Sequence, residues 1–125
     1  SERLLEMINN GEQIPISAFQ EALTNQNNII SQMDLYMQKY DALICLSTST
    51  TAPPRNSCEL PDSSLIWTLA HMPSVNIPAF KSDNNLPFGI QIVARKYNDL
   101  LLINLVEELT KEGIVPNGPY PLINY

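Results

Sequence analysis

Five hydroxyl side chains stand in a row at Ser47-Thr48-Ser49-Thr50-Thr51, between the apolar run 42–46 and the pair Pro53-Pro54. A hydroxyl becomes a nucleophile when a base within hydrogen-bond reach takes its proton. The bases on offer are few. His71 is the single histidine; it directly precedes Met72-Pro73 at a predicted helix end, a place for capping or packing, and no GxSxG surrounds any serine. A serine activated by lysine requires a buried lysine, yet Lys39, Lys81, Lys96 and Lys111 fall at helix ends, in a turn or at a strand end, where lysines are solvated. Nothing near Cys58 signals an activated thiolate. The residues therefore assign no catalytic group, and the hydroxyls read as partners for caps, turns and nearby backbone.

Other chemistries are narrowed in the same way. With one histidine and two cysteines, Cys45 and Cys58, no ligand set for a metal is expected. The four glycines form neither GxGxxG nor a P-loop, so no phosphate cradle and no cofactor is expected. A net charge of −6 with seven scattered Lys and Arg argues against nucleic acid, whose binding rests on neutralised phosphates. No apolar run approaches the roughly 20 residues that span a bilayer, so no membrane partner is expected. Two cysteines are too few for a disulfide framework and suit reduced thiols in the cytoplasm. The opening Ser1-Glu2-Arg3-Leu4-Leu5 has no basic n-region and no apolar h-region, so it reads as a cut without a targeting signal.

The elements that must position these residues follow from periodicity. Leu4, Leu5 and Ile8 predict a short helix over about 2–10, stopped in a left-handed cap at Gly11. Ser17 and Gln20 have the form of a capping box ahead of Phe19, Ala22, Leu23, Ile30, Met33 and Met37, which predict a long amphipathic helix over 18–39. Met33 and Met37 are taken as a buried helix face. The run 42–46 predicts a strand covered on both faces, and 47–61 a loop. A helix over 63–71, capped by Asp62 or Ser63, ends before Pro73; a strand follows at 74–78. Lys81-Ser82-Asp83-Asn84-Asn85 is turn chemistry, and alternation predicts a strand over 88–94, most simply antiparallel to its predecessor. Asn98 caps a last helix over 99–112, with Gly113 past its end and a Pro-rich loop beyond. About three strands with about four helices make an incomplete α/β sheet, which implies neighbouring residues outside this segment.

Three stretches carry a resemblance. Tyr40-Asp41-Ala42-Leu43-Ile44 with Ser47 and Ala52-Pro53 is similar to the "YDALL" strand and following loop of the amidase signature family, with Leu46 where that family usually has proline. Trp67-Thr68-Leu69-Ala70-His71-Met72-Pro73-Ser74-Val75-Asn76-Ile77-Pro78-Ala79 resembles its "WTLxGxPAxxxPA" segment, with His71 in place of the usual glycine. Leu86-Pro87-Phe88-Gly89-Ile90-Gln91-Ile92-Val93-Ala94-Arg95, with Asp99-Leu100-Leu101, resembles "LPxGxQxxGxxxxDxxLL", Ala94 replacing a common glycine. Pro73, Pro78, Pro87 and Gly89 are expected to shape the fold: glycine lets a neighbour approach closely or a strand bulge, and Gln91 can satisfy a backbone partner.

The resemblance implies that residues 1–125 are one segment, the carboxy-terminal portion of an amidase-signature domain, with a partial mixed sheet. Members of the family hydrolyse or transfer amides through an acyl-serine, using a lysine, a serine in a cis peptide and a nucleophilic serine. That Gly-Ser-rich signature is absent here, so the chain alone is expected to be inactive and its implied partner is the missing amino-terminal part of the same enzyme. The resemblance gives Leu65, Trp67 and Thr68 to the acyl part of the substrate, with Ser47 near the pocket mouth, and expects Trp67→Ala to alter substrate choice more than stability. Exposed strand edges imply a possible homo-oligomer. The alternatives are a non-catalytic binding or assembly module reusing this fold fragment, and a small independent Ser-Lys hydrolase.

Overall fold

The computed structural model describes residues 2–57, 63–83 and 85–115. Along the chain run α1 (Glu2–Glu12), α2 (Ile16–Met37), β1 (Leu43–Leu46), α3 (Ser64–Leu69), β2 (Ser74–Lys81), β3 (Pro87–Val93) and α4 (Asp99–Lys111). The strands form one α/β sheet in the order β1-β3-β2. Both pairings are antiparallel, so the mixed sheet expected from the resemblance is corrected. β2 turns straight back into β3 and leaves no room for the long crossover that a parallel neighbour requires. Ser82 closes that turn, its amide donating to the Leu86 carbonyl (3.0 Å) and its hydroxyl accepting from the Leu86 amide (3.1 Å).

β3 is the central strand, and its alternation divides the core between two faces. Ile90 and Ile92 join Val75 and Ile77 of β2 under Leu102, Leu105, Val106 and Leu109 of α4. Val93 points the other way, into a second cluster with Leu43, with Met33 and Met37 of α2, and with Trp67, Ala70 and Met72 at α3. The buried helix face expected from the methionines is therefore present, and Met37 is 1% exposed. Arg95, just past β3, fastens α2 to the sheet by a two-pronged ion pair to Asp34, Nε to Oδ1 at 2.6 Å and Nη2 to Oδ2 at 2.8 Å. The guanidinium holds the Asp34 carboxyl below the usual carboxylate range. The clamp is thus present above that range and is released as acid protonates Asp34.

β1 is covered on one face only, which corrects the expectation of a strand buried on both. Leu43 and Cys45 are half-buried, whereas Ile44 is 63% and Leu46 50% exposed, because α4 lies over β2 and β3 and stops short of the edge strand. α1 has no buried residue, and Leu4, Leu5 and Ile8 face outward. No described helix is long and apolar enough to cross a membrane.

Helix ends depart from their expected chemistry. α1 runs through Gly11 to Glu12 without a left-handed residue. α2 starts at Ile16 behind Pro15, an extended N-cap residue with ψ 143° and no side-chain hydroxyl or carboxylate to cap with, so Ser17 lies inside the helix and no side-chain cap forms. Ser63 and Asn98 also make no side-chain cap; the Ser63 hydroxyl reaches the Leu46 carbonyl instead (3.0 Å). Asp62 and the Pro-rich stretch 116–125 lie outside the described residues.

The two C-terminal caps are alike in form and unlike in residue. At the end of α4, Gly113 (φ 70°) donates to the Thr110 carbonyl and Ile114 to that of Leu109, the left-handed closure that glycine favours. At the end of α3, His71 donates to Thr68 and Met72 to Trp67, with His71 itself at φ 55°. This is the position where the resemblance expects glycine, and a side chain there costs about 1–2 kcal/mol. The Gln26 amide, 3.3 Å from His71 Nε2, offsets part of that cost. His71→Gly is accordingly expected to raise stability by about 1 kcal/mol; an unchanged or lower urea midpoint would show that the imidazole contact outweighs the strain.

Candidate functional site

The hydroxyl loop and the ends of β2 and β3 enclose a cleft of about 330 Å³, lined by residues 47–53, Asn76 and residues 87–89. Its geometry comes from register. Leu43, Cys45 and Ser47 follow one another on one face of β1, and the Ser47 amide donates to the Gly89 carbonyl at 2.9 Å. Asn76 lies opposite Gln91, which puts it on that same face from the far side of β3. The central strand carries no side chain at Gly89, so Ser47 and Asn76 meet above it, the Ser47 hydroxyl donating to Asn76 Oδ1.

Glycine is required for this arrangement. A Cβ on residue 89 would sit 2.5 Å from the Ile77 carbonyl, 2.6 Å from Asn76 Oδ1 and 3.0 Å from Ser47 Oγ. The close approach expected of Gly89 from the sequence is therefore specific: two flanking side chains cross the bare backbone. The irregularity in the strand pairing falls beside it, between Pro78 and Phe80.

Thr48, Thr50 and Ser57 of the loop bond nearby. Thr48 donates to the Thr50 carbonyl (2.6 Å), Thr50 to that of Thr51 (2.9 Å), and Ser57 to that of Pro54 (2.7 Å). No histidine or lysine is among the described residues lining the cleft. The local bonding expected for the run holds for Thr48 and Thr50, whereas Ser47 reaches across to Asn76 of β2; no described lining side chain is a base that could activate a hydroxyl.

Of the four residues expected to meet substrate, Ser47 lines this cleft and Leu65, Trp67 and Thr68 do not. Leu65 is 67% exposed, and the Thr68 hydroxyl donates to the Ser64 carbonyl at 3.2 Å. Trp67 is half-buried against the second core cluster, and its Nε1 is buried without a hydrogen-bond partner among the described residues. Gln91 is satisfied by side chains and not by backbone: its Nε2 donates to Ser74 Oγ (3.3 Å), and Cys45 Sγ donates to its Oε1 (3.8 Å). Cys45 is a free thiol.

Asn76 is the cleft residue that reading the sequence for reactive groups passes over. Its signal lay in the alternation of Val75, Asn76 and Ile77, where a polar side chain between two core residues must face away from them.

Comparison with known proteins agrees with this architecture. A glutamyl-tRNA(Gln) amidotransferase subunit of Thermotoga maritima is 24% identical, with 83% of this chain and 23% of that protein covered. The crystal structure of the same Thermotoga protein superposes with a TM-score of 0.67 at 22% identity, over 97% of this chain and 29% of the other. A crystal structure of an amidase gives 0.78 at 19% identity over 90% and 29%, and a 6-aminohexanoate cyclic dimer hydrolase 0.72 at 21% over 90% and 27%. The chain therefore spans about a quarter of the length of these proteins. The Amidase family model matches residues 2–103, most of the described fold and both strands that bound the cleft, and on that match the chain belongs to the Amidase family.

Proposed function

We propose that this chain is the carboxy-terminal segment of a longer cytoplasmic amidase, which cleaves amide C–N bonds through an acyl-serine intermediate. In this reading the segment supplies three sheet strands and one wall of the substrate pocket. The lysine and the two serines of the reaction lie in the amino-terminal part. The observation that carries it is the cleft: a family-matched chain gathers hydroxyls at its strand ends, yet no described lining side chain is a base. Ser47 stands at the mouth, and Leu65, Trp67 and Thr68 of α3 are assigned to the acyl side. The bare face at Ile44 and Leu46 suits burial by that same amino-terminal part; in its absence it favours self-association.

A fluorophosphonate probe separates the readings, because it labels an activated serine. The expected result is no labelling of the isolated chain, which sediments as an oligomer, and labelling of the longer protein at a serine outside these residues. Labelling of the isolated chain would overturn the assignment in favour of an independent hydrolase. A longer protein that also stays unlabelled would favour a binding module.

A further inference from the structure

The turn after β3 holds an aromatic side chain against its backbone preference. Asn98 donates to the Arg95 carbonyl at 2.9 Å, closing a tight turn with Tyr97 in its third position at φ 69°. Positive φ at that position favours glycine or asparagine. Of the three non-glycine residues with positive φ among the described residues, Asn85 is of the tolerant type and His71 closes a helix. Tyr97 does neither, and it is 84% exposed. Lys96 Nζ lies over its ring, 5.0 Å from the centroid. A cation–π contact at an exposed site is worth less than a left-handed side chain costs, so the turn itself does not offset the strain. Strain of this kind persists where a site requires it.

Tyr97 also lines a hollow of about 460 Å³ between α2 and this turn. Ile30 and Leu35 give it apolar walls, and Asp34, Arg95 and Lys96 give it charge. Arg95 uses Nε and Nη2 on Asp34, so those two charges cancel. The described ion pairs leave Lys96 out, and Asp99, which begins α4, is not among the lining residues. The hollow is therefore net positive on a chain of net charge −6, at the one place where two basic residues adjoin.

We infer that this hollow binds a small carboxylate on a flat apolar stem, with Lys96 facing the carboxylate and the Tyr97 ring stacking on the stem. A cationic ligand would be repelled by Lys96, and a neutral one would forgo its attraction. The aromatic ring and the aliphatic walls suit a flat stem, and the volume lies in the range of small-ligand pockets. The hollow shares no described lining residue with the Ser47 cleft, so the inference stands apart from the amidase reading.

Titration of the 15N-labelled chain at pH 7 with benzoate, benzamide and benzylammonium tests it, because these probes share a ring and differ in charge. Benzoate is expected to shift the backbone amides of Lys96, Tyr97 and Asn98. Benzamide is expected to bind about two- to fivefold more weakly, the worth of one exposed charge contact, and benzylammonium more weakly still. Lys96→Gln is expected to bring benzoate down to the level of benzamide. Tyr97→Asn suits the left-handed turn, so it is expected to raise the urea midpoint while weakening benzoate and benzamide alike. Benzoate shifts that are absent, that lie away from residues 96–98, or that benzamide matches would overturn the inference. A Tyr97→Asn variant that binds benzoate as tightly as the unaltered chain, or that is no more stable, would do the same.

Discussion

Gly89→Ala is expected to lower stability by about 2–4 kcal/mol, a large effect for one methyl group on a strand. The added Cβ falls 2.5 Å from the Ile77 carbonyl and 2.6 Å from Asn76 Oδ1, so β2 must move away from β3. Overpacking of this kind costs about 1–3 kcal/mol. Loss of the hydrogen bond between Ser47 and Asn76 adds about 1 kcal/mol. Chemical denaturation measures the sum. Gly89→Ala combined with Asn76→Ala separates the parts, because it removes the side-chain clash and keeps the one with the backbone. A double variant no more stable than Gly89→Ala would show that the Ile77 carbonyl alone dictates glycine.

Trp67→Ala is expected to cost about 2–3 kcal/mol, below the 3–5 kcal/mol of a fully buried tryptophan because the indole is half-buried. Its packing against Met33, Leu43 and Val93 makes alanine a poor probe of substrate contact, since lost packing dominates. Phenylalanine is the better one. Trp67→Phe keeps an aromatic ring against the cluster and removes the buried Nε1 donor that has no described partner. Leaving such a donor unpaired costs about 1–3 kcal/mol, so the two effects oppose and a change within about 1 kcal/mol is expected. Thermal melts check both variants. A Trp67→Phe variant as unstable as alanine would mean that the indole nitrogen is satisfied by a group outside the described residues. In the longer protein, a shifted substrate profile at unchanged melting temperature in Trp67→Phe would support the acyl-side role proposed for α3.

What could be read from the sequence followed the strength of its periodic signals. α2, α4 and β3 announce themselves because apolar residues recur at helical or alternating spacing over many positions; α4 and β3 bury much of the stripe so marked, whereas α2 buries only its Met33–Met37 end and leaves Phe19 and Leu23 exposed. The place of Ser47 at the end of β1 is legible because its loop belongs to a recognisable string of residues. The caps were not, because Ser17, Ser63 and Asn98 have cap chemistry that competes with other uses of the same groups, and Ser63 spends its hydroxyl on a strand. The exposed face of β1 was misread for a related reason. An apolar run such as 42–46 reports what a strand is suited to bury, and the covering must come from somewhere; within this chain α4 does not reach it. Asn76 escaped notice because its role is pairwise, created by a neighbour that lacks a side chain.

The hydroxyl of Ser63 also marks one end of the open edge of the sheet. In β1 the odd residues exchange hydrogen bonds with β3, so Ile44 and Leu46 turn their backbone groups outward. Of the outward carbonyls, that of Leu46 is already taken by Ser63 at 3.0 Å. A backbone approaching this edge would meet the Ser63 hydroxyl at its Leu46 end. The start of α3 is thus tied to the end of the edge strand that leads into the hydroxyl loop, so the placements of that helix and of the cleft's loop are coupled through one hydroxyl.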